Sequence, residues 1–289
     1  MKIGMAGTGR MGAAIAQRLA GRGHQVTVWN RTADRARALG LPVAEDLSRL
    51  LESSDIIISI LTDAKAIEAV YAKLLAGDVT RKLFIEMSTV RPETQKRLAD
   101  KVRAKGAAFI ECPVGGTVGP AKEGRLFGFA GGEAADVARA RPLLDQMCRR
   151  VEHVGPVGAG AAMKLAINLP LMVFWQVFGE ALSLCEPLGI DPARLMDIFA
   201  DTSGGPNVLK VRGPAIATAL TGKDLGAATF DVDSMRKDLR TMLEEARALG
   251  RELPVTQRAL ECFDRAARGG LGAADAAMLP ASWLRSQAK

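Results

Sequence analysis

The chain is poor in the residues that build zinc sites and disulfide frameworks. Its 289 residues include only two histidines and four cysteines. The cysteines lie far apart and no two of them form a Cys-x-x-Cys pair; they are Cys112, Cys148, Cys185 and Cys262. This spacing argues against a metal site and predicts reduced thiols in a cytoplasmic protein.

Long apolar runs are also lacking. The N-terminal MKIGMAGTG enters a predicted strand directly, without the apolar segment of a signal peptide, which also favours a cytoplasmic location. The most apolar stretch, at 169–178, is about half of the ~20 residues that cross a bilayer, and Lys164 and Glu180 flank it. We expect a buried core helix there and no membrane association.

Aromatic residues are few, with one Tyr, three Trp and nine Phe. Residues 1–154 carry 24 Lys and Arg against 17 Asp and Glu, so the whole net charge of +7 belongs to the first half. No dense Lys/Arg stripe with interleaved aromatics occurs, so we expect no nucleic acid partner. The positive balance instead predicts an anionic ligand bound by the first half.

The first half alternates short apolar runs with helical patterns. Such alternation is typical of βαβ units in a doubly wound, mostly parallel sheet. The predicted strands are 2–6, 26–29, 56–61, 83–87, 108–112 and 126–131. The predicted helices are 11–21, 33–39, 64–75, 92–105 and 133–147, the last of which we expect to complete this domain.

From residue 159 onward the patterns are helical and no convincing strand occurs. They cover 159–187, 192–200, 231–249 and 254–268. We therefore predict an α/β dinucleotide-binding domain over residues 1–158. An all-helical domain for substrate binding and oligomerisation is expected over residues 159–289.

A glycine-rich loop, GTGRMG at 7–12, follows the first predicted strand and opens the first helix. Gly7 allows a tight turn, Gly9 lets the backbone approach a pyrophosphate, and Gly12 permits close helix–strand packing. The pyrophosphate then sits at the positive end of the helix dipole. The predicted cofactor-binding residues of this loop are Gly7, Thr8, Gly9, Arg10, Met11 and Gly12.

The end of the second predicted strand discriminates between the two nicotinamide cofactors. An NAD site has Asp or Glu there, which accepts hydrogen bonds from the ribose hydroxyls. This chain has Asn30, Arg31 and Thr32 instead. A carboxylate would repel a 2′-phosphate, whereas Arg31 can stack on adenine and pair with that phosphate. We therefore predict NADP(H) in preference to NAD(H).

Lys164 and Asn168 lie four residues apart inside an otherwise apolar helix pattern, and therefore on one face of the helix. An unpaired ammonium in apolar surroundings is unfavourable, so either a partner neutralises Lys164 or a reaction uses it. Hydride transfer to a carbonyl builds negative charge on oxygen, and a positioned group must supply a proton. A lysine can fill that role. A lysine that reaches solvent from a helix end is the alternative.

Four separated segments resemble the β-hydroxyacid dehydrogenase family. That family includes 3-hydroxyisobutyrate dehydrogenases, tartronate semialdehyde reductases and glyoxylate/succinic semialdehyde reductases. The segments are GTGRMG at 7–12, ECPVGGTVGPAKEG at 111–124, GPVGAGAAMKLAIN at 155–168 and RKDLRTMLEEA at 236–246. The third matches the pattern G-x-x-G-x-G-x-x-x-K-x-x-x-N in full. The resemblance implies a Rossmann domain followed by an all-α domain, with the active site between them.

The resemblance also implies roles for individual residues. The lysine that matches Lys164 is the catalytic acid/base, and the asparagine that matches Asn168 helps to hold the substrate. The lysine that matches Lys237 closes over the nicotinamide end of the cofactor. Further positions that match cofactor contacts are Leu61, Thr62 and Thr89.

The second segment departs from the family pattern D-x-P-V-S-G-G-x-x-x-A-x-x-G. Gly115 stands where the pattern has Ser, Thr117 stands where it has the second Gly, and Glu111-Cys112 replaces the common Asp-Ala. Consecutive backbone N–H groups in such a turn can cradle a substrate carboxylate. The predicted substrate-binding residues here are Gly115, Gly116 and Thr117.

Two positions in the second half bear on the substrate pocket. Ser203 lies where the resemblance brings a Ser-Gly turn near the substrate. Pro170 follows Asn168 by two residues, and a proline inside a helix removes a backbone bond and kinks the chain. We expect that kink to tilt Asn168 relative to Lys164.

These observations predict an NADP(H)-dependent oxidoreductase. It interconverts a small hydroxy carboxylic acid (β-hydroxy, or 2- or 4-hydroxy) and its semialdehyde or oxo acid. An imine reductase shares the two-domain plan and NADPH but usually lacks the lysine, and a cofactor-binding protein without turnover is a second alternative. We expect a homodimer or homotetramer, because relatives assemble through their helical domains.

Overall fold

The computed structural model of the protein describes residues 1–202 and 204–287. Two compact units divide the chain, the first being Met1–Leu165 and the second beginning at Ala166. The sequence patterns placed the division between residues 158 and 159. A single long helix, Ala159–Cys185, begins directly after the first of these positions and contains the second.

The first unit is built on an eight-stranded sheet. Its strands are β1 (Lys2–Ala6), β2 (Gln25–Trp29), β3 (Ile56–Ser59), β4 (Leu83–Glu86), β5 (Ala108–Glu111), β6 (Val114–Gly115), β7 (Leu126–Gly132) and β8 (Cys148–Gly155). Its helices are α1 (Arg10–Gly21), α2 (Ala33–Arg37), α3 (Leu47–Glu52), α4 (Ala64–Leu74), α5 (Pro92–Arg103), α6 (Val118–Glu123), α7 (Ala134–Met147) and the start of α8 (Ala159–Cys185).

The sheet is mostly parallel. Strands β2, β1, β3, β4 and β5 are neighbours in that order and run parallel, while β7 is antiparallel to β5 and β6 and parallel to β8. The carboxyl ends of β1 to β5 therefore meet at one edge, which is where ligands bind in open α/β sheets.

Both faces of this sheet are covered by helices. Along β3, Ile56 and Ile58 belong to one apolar cluster and Ile57 to the other, because successive strand side chains point to opposite faces. All four residues of β3 and of β4 are buried, as expected for central parallel strands. The doubly wound α/β prediction is confirmed.

The sequence patterns missed four elements of the first unit: α3, α6, β6 and β8. The expectation that helix 133–147 completes this domain is wrong, since β8 follows it and pairs with β7. In β8 only Cys148 and Val151 are buried; Arg149 and Arg150 between them are exposed, and Glu152 and His153 follow. A strand of this composition has no continuous apolar run by which to recognise it.

The second unit is helical. After α8 come α9 (Pro192–Ala200), α10 (Asn207–Leu220), α11 (Val232–Ala248), α12 (Pro254–Ala266) and α13 (Met278–Gln287). Among the described residues beyond 165, β-structure is limited to an isolated bridge between Asp231 and Asp275. The all-helical prediction is confirmed, although α10 and α13 were not predicted. Pro214 lies inside α10, where a proline suggests a break in the helix, and Pro280 lies in the first turn of α13.

The helix α8 passes through Pro170 as one assigned helix. Together with the turn after it, this segment (Ala159–Leu188) is long and apolar enough to cross a membrane, whereas the apolar stretch 169–178 alone is too short. Core helices of soluble proteins meet the same criterion, so the segment is weak evidence for membrane association. The tilt of Asn168 expected from Pro170 stays a prediction.

Candidate active site

The glycine loop between β1 and α1 has the backbone that three glycines permit. Gly7 has φ +103°, and a Cβ added there would lie 2.4 Å from the carbonyl oxygen of Ile60. A Cβ on Gly12 would lie 2.0 Å from the carbonyl oxygen of Gly7. At Gly9 no atom lies within 4 Å of the Cβ position, so the backbone there borders open space. The loop therefore fits tightly into the protein at both ends and is open in the middle.

The open part of the loop is also an anion site. Gly9 is the N-cap of α1, makes no side-chain cap, and the first turn of the helix contains no acidic residue. The first N–H groups of a helix have no partner within it, and the dipole places positive charge there. The buried hydroxyl of Thr8, next to this turn, has no hydrogen-bond partner among the described residues. These features fit the pyrophosphate of a dinucleotide.

Asn30 connects the loop to the end of β2. The backbone N–H of Thr8 donates to Asn30 Oδ1 at 3.1 Å, and Asn30 Nδ2 donates to the carbonyl oxygen of Thr32 at 3.0 Å. The amide thus holds the turn without adding the negative charge that Asp or Glu would bring. Arg31 and Thr32 follow and are exposed. Arg35, on the first turns of α2, is a second exposed arginine here that sequence reasoning missed.

The other predicted cofactor positions lie at the same edge of the sheet. Leu61 and Thr62 follow β3, and Thr89 follows β4. The N–H of Leu61 donates to Ser88 Oγ at 2.7 Å, which joins these two segments. The parallel order of β1, β3 and β4 therefore brings them beside the glycine loop.

A buried carboxylate that sequence reasoning missed supports this edge. Glu86, at the end of β4, accepts hydrogen bonds from the N–H and the hydroxyl of Ser88 and from Gln95 Nε2 at 2.5 Å. Burial raises the pKa of Glu86, although the hydrogen bonds from Ser88 and Gln95 lower it. Ser88 in turn accepts from the backbone of Leu61, so Glu86 fixes the segment after β3.

A second buried carboxylate lies at the end of β5. Glu111 has no exposed surface and accepts three backbone hydrogen bonds, from the N–H groups of Gly158 at 2.5 Å, Gly160 at 2.9 Å and Ala161 at 3.2 Å. Burial raises the pKa of Glu111 to about 7 against the lowering effect of these three N–H groups. In the sequence Glu111 stood out only as a departure from the family pattern. In the structure it holds the start of α8.

The helix α8 places Lys164 and Asn168 one turn apart. The exposed fraction is 9% for Lys164 and 7% for Asn168, so both polar side chains are buried. This burial disfavours the alternative in which Lys164 reaches solvent from a helix end. A buried ammonium near a buried amide is the combination expected of a proton donor and a substrate-holding group.

The predicted carboxylate turn joins β6 to α6. Gly115 is half-buried, whereas Gly116 and Thr117 are exposed, and Gly116 has φ +122°. Thr117 is the N-cap of α6 and its side chain makes no capping bond. A Cβ on Gly115 would meet its nearest neighbour, Phe129 Cε2, at 3.8 Å, so packing at this position does not require glycine. Ser203, the remaining predicted substrate residue, lies outside the described residues.

Lys237 lies on α11 in the second unit. Its Nζ is 2.5 Å from Oδ1 of Asp238, and that carboxylate is buried. The start of α11 is fixed by the segment before α13, because Val232 and Asp233 donate their N–H groups to the carbonyl oxygens of Ala274 and Gly272. Within residues 1–202 and 204–287, no cluster of His, Cys, Asp and Glu is arranged to hold a metal ion.

Comparison with known proteins matches both parts of the chain. Residues 2–155 match the family model of the NAD-binding domain of 6-phosphogluconate dehydrogenase. Residues 158–281 match the model described as the NAD-binding domain of NADP-dependent 3-hydroxyisobutyrate dehydrogenase. Fold, glycine loop and family models together define an NAD(P)-binding oxidoreductase.

Individual relatives narrow the class. A 3-hydroxyisobutyrate dehydrogenase of Pseudomonas aeruginosa is 33% identical over 90% of either chain. Glyoxylate/succinic semialdehyde reductase 1 of Arabidopsis thaliana is 32% identical over 95% of this chain and 96% of its own length. The chain belongs to the β-hydroxyacid dehydrogenase family, as the four sequence segments predicted.

Solved structures of other proteins have the same two-part fold. Psf3 in complex with NADP+ and 2-OPP superposes with a TM-score of 0.85 at 27% identity, covering 99% of this chain and 100% of Psf3. An imine reductase of Myxococcus stipitatus in complex with NADP+ has a TM-score of 0.62 at 20% identity over 96% of this chain and 98% of its own. At that identity the second likeness concerns the fold alone.

Proposed function

We propose that this protein reduces a small semialdehyde or oxo acid to the corresponding hydroxy acid with NADPH. The burial of Lys164 on a helix whose first turn is fixed by Glu111 is the observation that carries the proposal. The names of the two relatives, a 3-hydroxyisobutyrate dehydrogenase and a glyoxylate/succinic semialdehyde reductase, support a substrate of this size and charge.

The preference for the phosphorylated cofactor is proposed on the chemistry after β2. The position that carries a carboxylate in NAD sites is Asn30, whose amide is engaged with Thr8 and Thr32. Arg31 and Arg35 are two exposed cations beside it, suited to a 2′-phosphate.

That preference is tested by Arg31→Ala. We expect the Kd for NADPH to rise about tenfold or more, since a charge-assisted contact is lost, while the Kd for NADH changes little. Arg37→Ala is the matched control because Arg37 pairs with Asp34 on the outside of α2. Equal losses for both cofactors would show that Arg31 does not contact the phosphate.

When bound, the reduced nicotinamide supplies the hydride. The chain's own residues orient the substrate and move the proton. The N–H groups of Gly115 to Thr117 bind the carboxylate, and Asn168 holds the oxygen that Lys164 Nζ protonates. Negative charge that develops on this oxygen is stabilised by the ammonium in a buried setting, where electrostatic interactions are stronger than in water. Lys237 is the residue that the family resemblance assigns to the nicotinamide end.

The experiment is NADPH oxidation against semialdehydes, 2-oxo acids and cyclic imines, with wild type, Lys164→Ala and the exposed-lysine control Lys105→Ala. We expect turnover of an acid substrate in wild type and control and a loss of ~10²-fold or more in the lysine variant. Turnover of cyclic imines alone would make the protein an imine reductase. NADPH binding without any turnover would favour a cofactor-binding protein.

We propose further that the protein is a homodimer through α8. Large apolar side chains are exposed along this helix and the turn after it: Met163, Ile167, Val177, Leu184 and Leu188. With Pro170, Phe174 and Ala181 between them, they recur every three or four residues and form one stripe. Leu184 is 83% exposed, which a second copy of the same helix would cover.

The dimer is tested by light scattering after gel filtration. We expect twice the chain mass for wild type and the monomer mass for Leu184→Glu. Val255→Glu, at an exposed apolar position on α12 away from the stripe, should leave the mass unchanged. A monomeric wild type, or a dimeric Leu184→Glu, would refute this interface, and four times the chain mass would make it one of two interfaces in a tetramer.

A cytoplasmic location is proposed as well. All four cysteines are free, and burial raises the pKa of Cys112 and Cys148, so both stay protonated thiols. Fractionation of cells that express the tagged chain tests this location, and recovery outside the soluble cytoplasmic fraction would contradict it.

A further inference from the structure

Glu111 is a buried carboxylate that lies outside the proposed contacts with cofactor and substrate. Its carboxylate joins two elements that are 47 to 50 residues apart in the chain, the end of β5 and the first turn of α8. The negative charge also sits at the positive end of the helix dipole of a 27-residue helix. Glu111 thus caps α8 from another element, where α8 has no acidic residue in its own first turn.

The slot around this carboxylate is closed by glycines. A Cβ on Gly131 would lie 2.4 Å from Glu111 Oε1, and a Cβ on Gly160 would lie 2.3 Å from the carbonyl oxygen of Phe129 and 3.3 Å from Glu111 Cδ. A side chain at either position would therefore collide with Glu111 or with the backbone of β7. The position of the first turn of α8 is determined by this contact.

The position of Lys164 depends on the position of that turn. In an α-helix each N–H bonds to the carbonyl four residues earlier, so the backbone of Lys164 rests on Gly160, whose own N–H is bound by Glu111. A shift of the first turn therefore shifts the ammonium by a similar distance. Displacement of a reacting group by ~1 Å costs a rate factor on the order of 10².

We propose that Glu111 is a positioning residue for proton transfer: by holding the N–H groups of Gly158, Gly160 and Ala161 it fixes the place of the Lys164 ammonium. This inference rests on the proposed role of Lys164 as proton donor. Glu111 acts only through α8 and touches no reacting atom.

The charge of Glu111 changes near neutral pH, which gives the proposal a second readout. With a pKa of about 7, the carboxyl group takes up a proton below neutrality and then accepts the three N–H groups less well. We expect an acidic limb in the pH profile of kcat. The other titratable groups on the elements packed here are Glu86, Lys96, Cys112, His153 and Lys164.

The first experiment compares Glu111→Gln with wild type in steady-state reduction. We expect kcat to fall ~10- to 100-fold, the KM for NADPH to stay within about twofold, and the acidic limb to disappear. Loss of NADPH binding instead of kcat, or an acidic limb that persists unchanged, would overturn the proposal.

Glu86→Gln is the matched control. Glu86 is also a buried carboxylate with a raised pKa at the end of a neighbouring strand, but its partners are Ser59, Ser88 and Gln95. We expect this variant to raise the KM for NADPH through the segment after β3 and to keep the acidic limb. If Glu86→Gln also abolished the acidic limb of the kcat profile, the loss of any buried carboxylate would have this effect, and the proposal for Glu111 would fail.

Hydrogen exchange of the backbone amides measures how firmly Glu111 holds the first turn of α8, and it needs no turnover. We call these three hydrogen bonds the anchor. The amides of Gly160 and Ala161 should exchange at least about tenfold faster in Glu111→Gln and unchanged in Glu86→Gln. Equal exchange in Glu111→Gln and wild type would refute the anchor whatever the activity shows. If wild type reduced none of the substrates, the proposed function would fail, and a shift of the Lys164 side-chain NMR signal in Glu111→Gln would still decide whether Glu111 positions it.

Discussion

The two units bury carboxylates in opposite ways. In the first unit Glu86 and Glu111 accept hydrogen bonds from neutral groups: backbone N–H, hydroxyl and amide. In the second unit Asp275 accepts from the guanidinium of Arg212 as well as from Thr229 and Ala277. Burial raises the pKa of both glutamates, whereas for Asp275 the hydrogen bonds and the Arg212 charge outweigh burial and lower its pKa.

This difference separates two kinds of buried carboxylate, those held only by neutral donors and one paired with a cation. A buried carboxylate without a cation is an unfavourable group that persists because the surrounding backbone requires it, and such groups concentrate at functional sites. A carboxylate paired with arginine stabilises the fold around it. Glu86 and Glu111 thus lie where chemistry is proposed, whereas Asp275 holds the loop before α11.

The largest effect is expected from Gly12→Ala, which tests how tightly the cofactor loop is built. A methyl group there would meet the carbonyl oxygen of Gly7 at 2.0 Å, so the loop must move and the Kd for NADPH should rise 100-fold or more. Isothermal titration measures this. In the second unit Gly213→Ala places its methyl 3.3 Å from Cβ of Met196, a contact that involves no residue of the glycine loop, so the Kd for NADPH should be unchanged.

The next effect concerns the pH dependence of stability. The pKa of Glu111 is about 7 in the folded protein against an ordinary value of 4.5, so the folded state holds this proton more tightly than the unfolded chain does. Its contribution is fully present below pH 4.5 and is lost as the pH rises through 7. Relative to Glu111→Gln, wild type should lose up to ~3 kcal/mol of unfolding free energy over this interval.

Urea unfolding followed by circular dichroism between pH 4.5 and 7.5 measures this difference. Asp275 has the opposite sign: with a lowered pKa, its contribution is present above pH 3.8 and lost as the pH falls further. Parallel stability curves for wild type and Glu111→Gln would mean that Glu111 does not titrate in this range.

The smallest of the three effects is expected from Arg212→Ala in the second unit. Asp275 keeps its bonds from Thr229 and Ala277, so we expect a loss of about 2 kcal/mol, less than the 3–5 kcal/mol typical for a buried pair broken at one partner. Hydrogen exchange should increase in residues 221–231 and 272–278 and stay unchanged in the glycine loop.

Arg258→Ala provides the comparison, since the pair of Arg258 with Glu261 on α12 is exposed to solvent, and we expect this variant to unfold at the same urea concentration as wild type. If both arginine variants lost the same stability, burial of Asp275 would not matter.

Much of the first unit was predictable because its elements have local signals. Apolar runs identified β1 to β5, and the glycine spacing identified the cofactor loop before its geometry was known. The strand β8 escaped detection because its charged residues face solvent between two buried positions. The contacts of Glu111 escaped because its partners lie 47 to 50 residues away, and nothing in the local sequence marks them.

The helices of the second unit were harder to predict from sequence for a different reason. Its helices were recognised where the apolar period is regular, as in α9, α11 and α12. The helix α10 was missed because Pro214 interrupts its pattern, and α13 is a short helix that begins with Pro280 in its first turn. Lys164 and Asn168 were found from their spacing, but their burial depends on tertiary packing that periodicity does not report.

The bond between Asn30 and Thr8 has a consequence for how cofactor choice can evolve or be engineered. Aspartate has the same shape as asparagine, so Asn30→Asp keeps an oxygen for the N–H of Thr8 and adds the carboxylate that NAD sites use. The obstacle is local: a carboxylate oxygen would then face the carbonyl oxygen of Thr32, where the amide now donates. If the proposed NADP(H) preference holds, a switch of cofactor therefore requires a second change that turns the backbone carbonyl of residue 32 away from position 30.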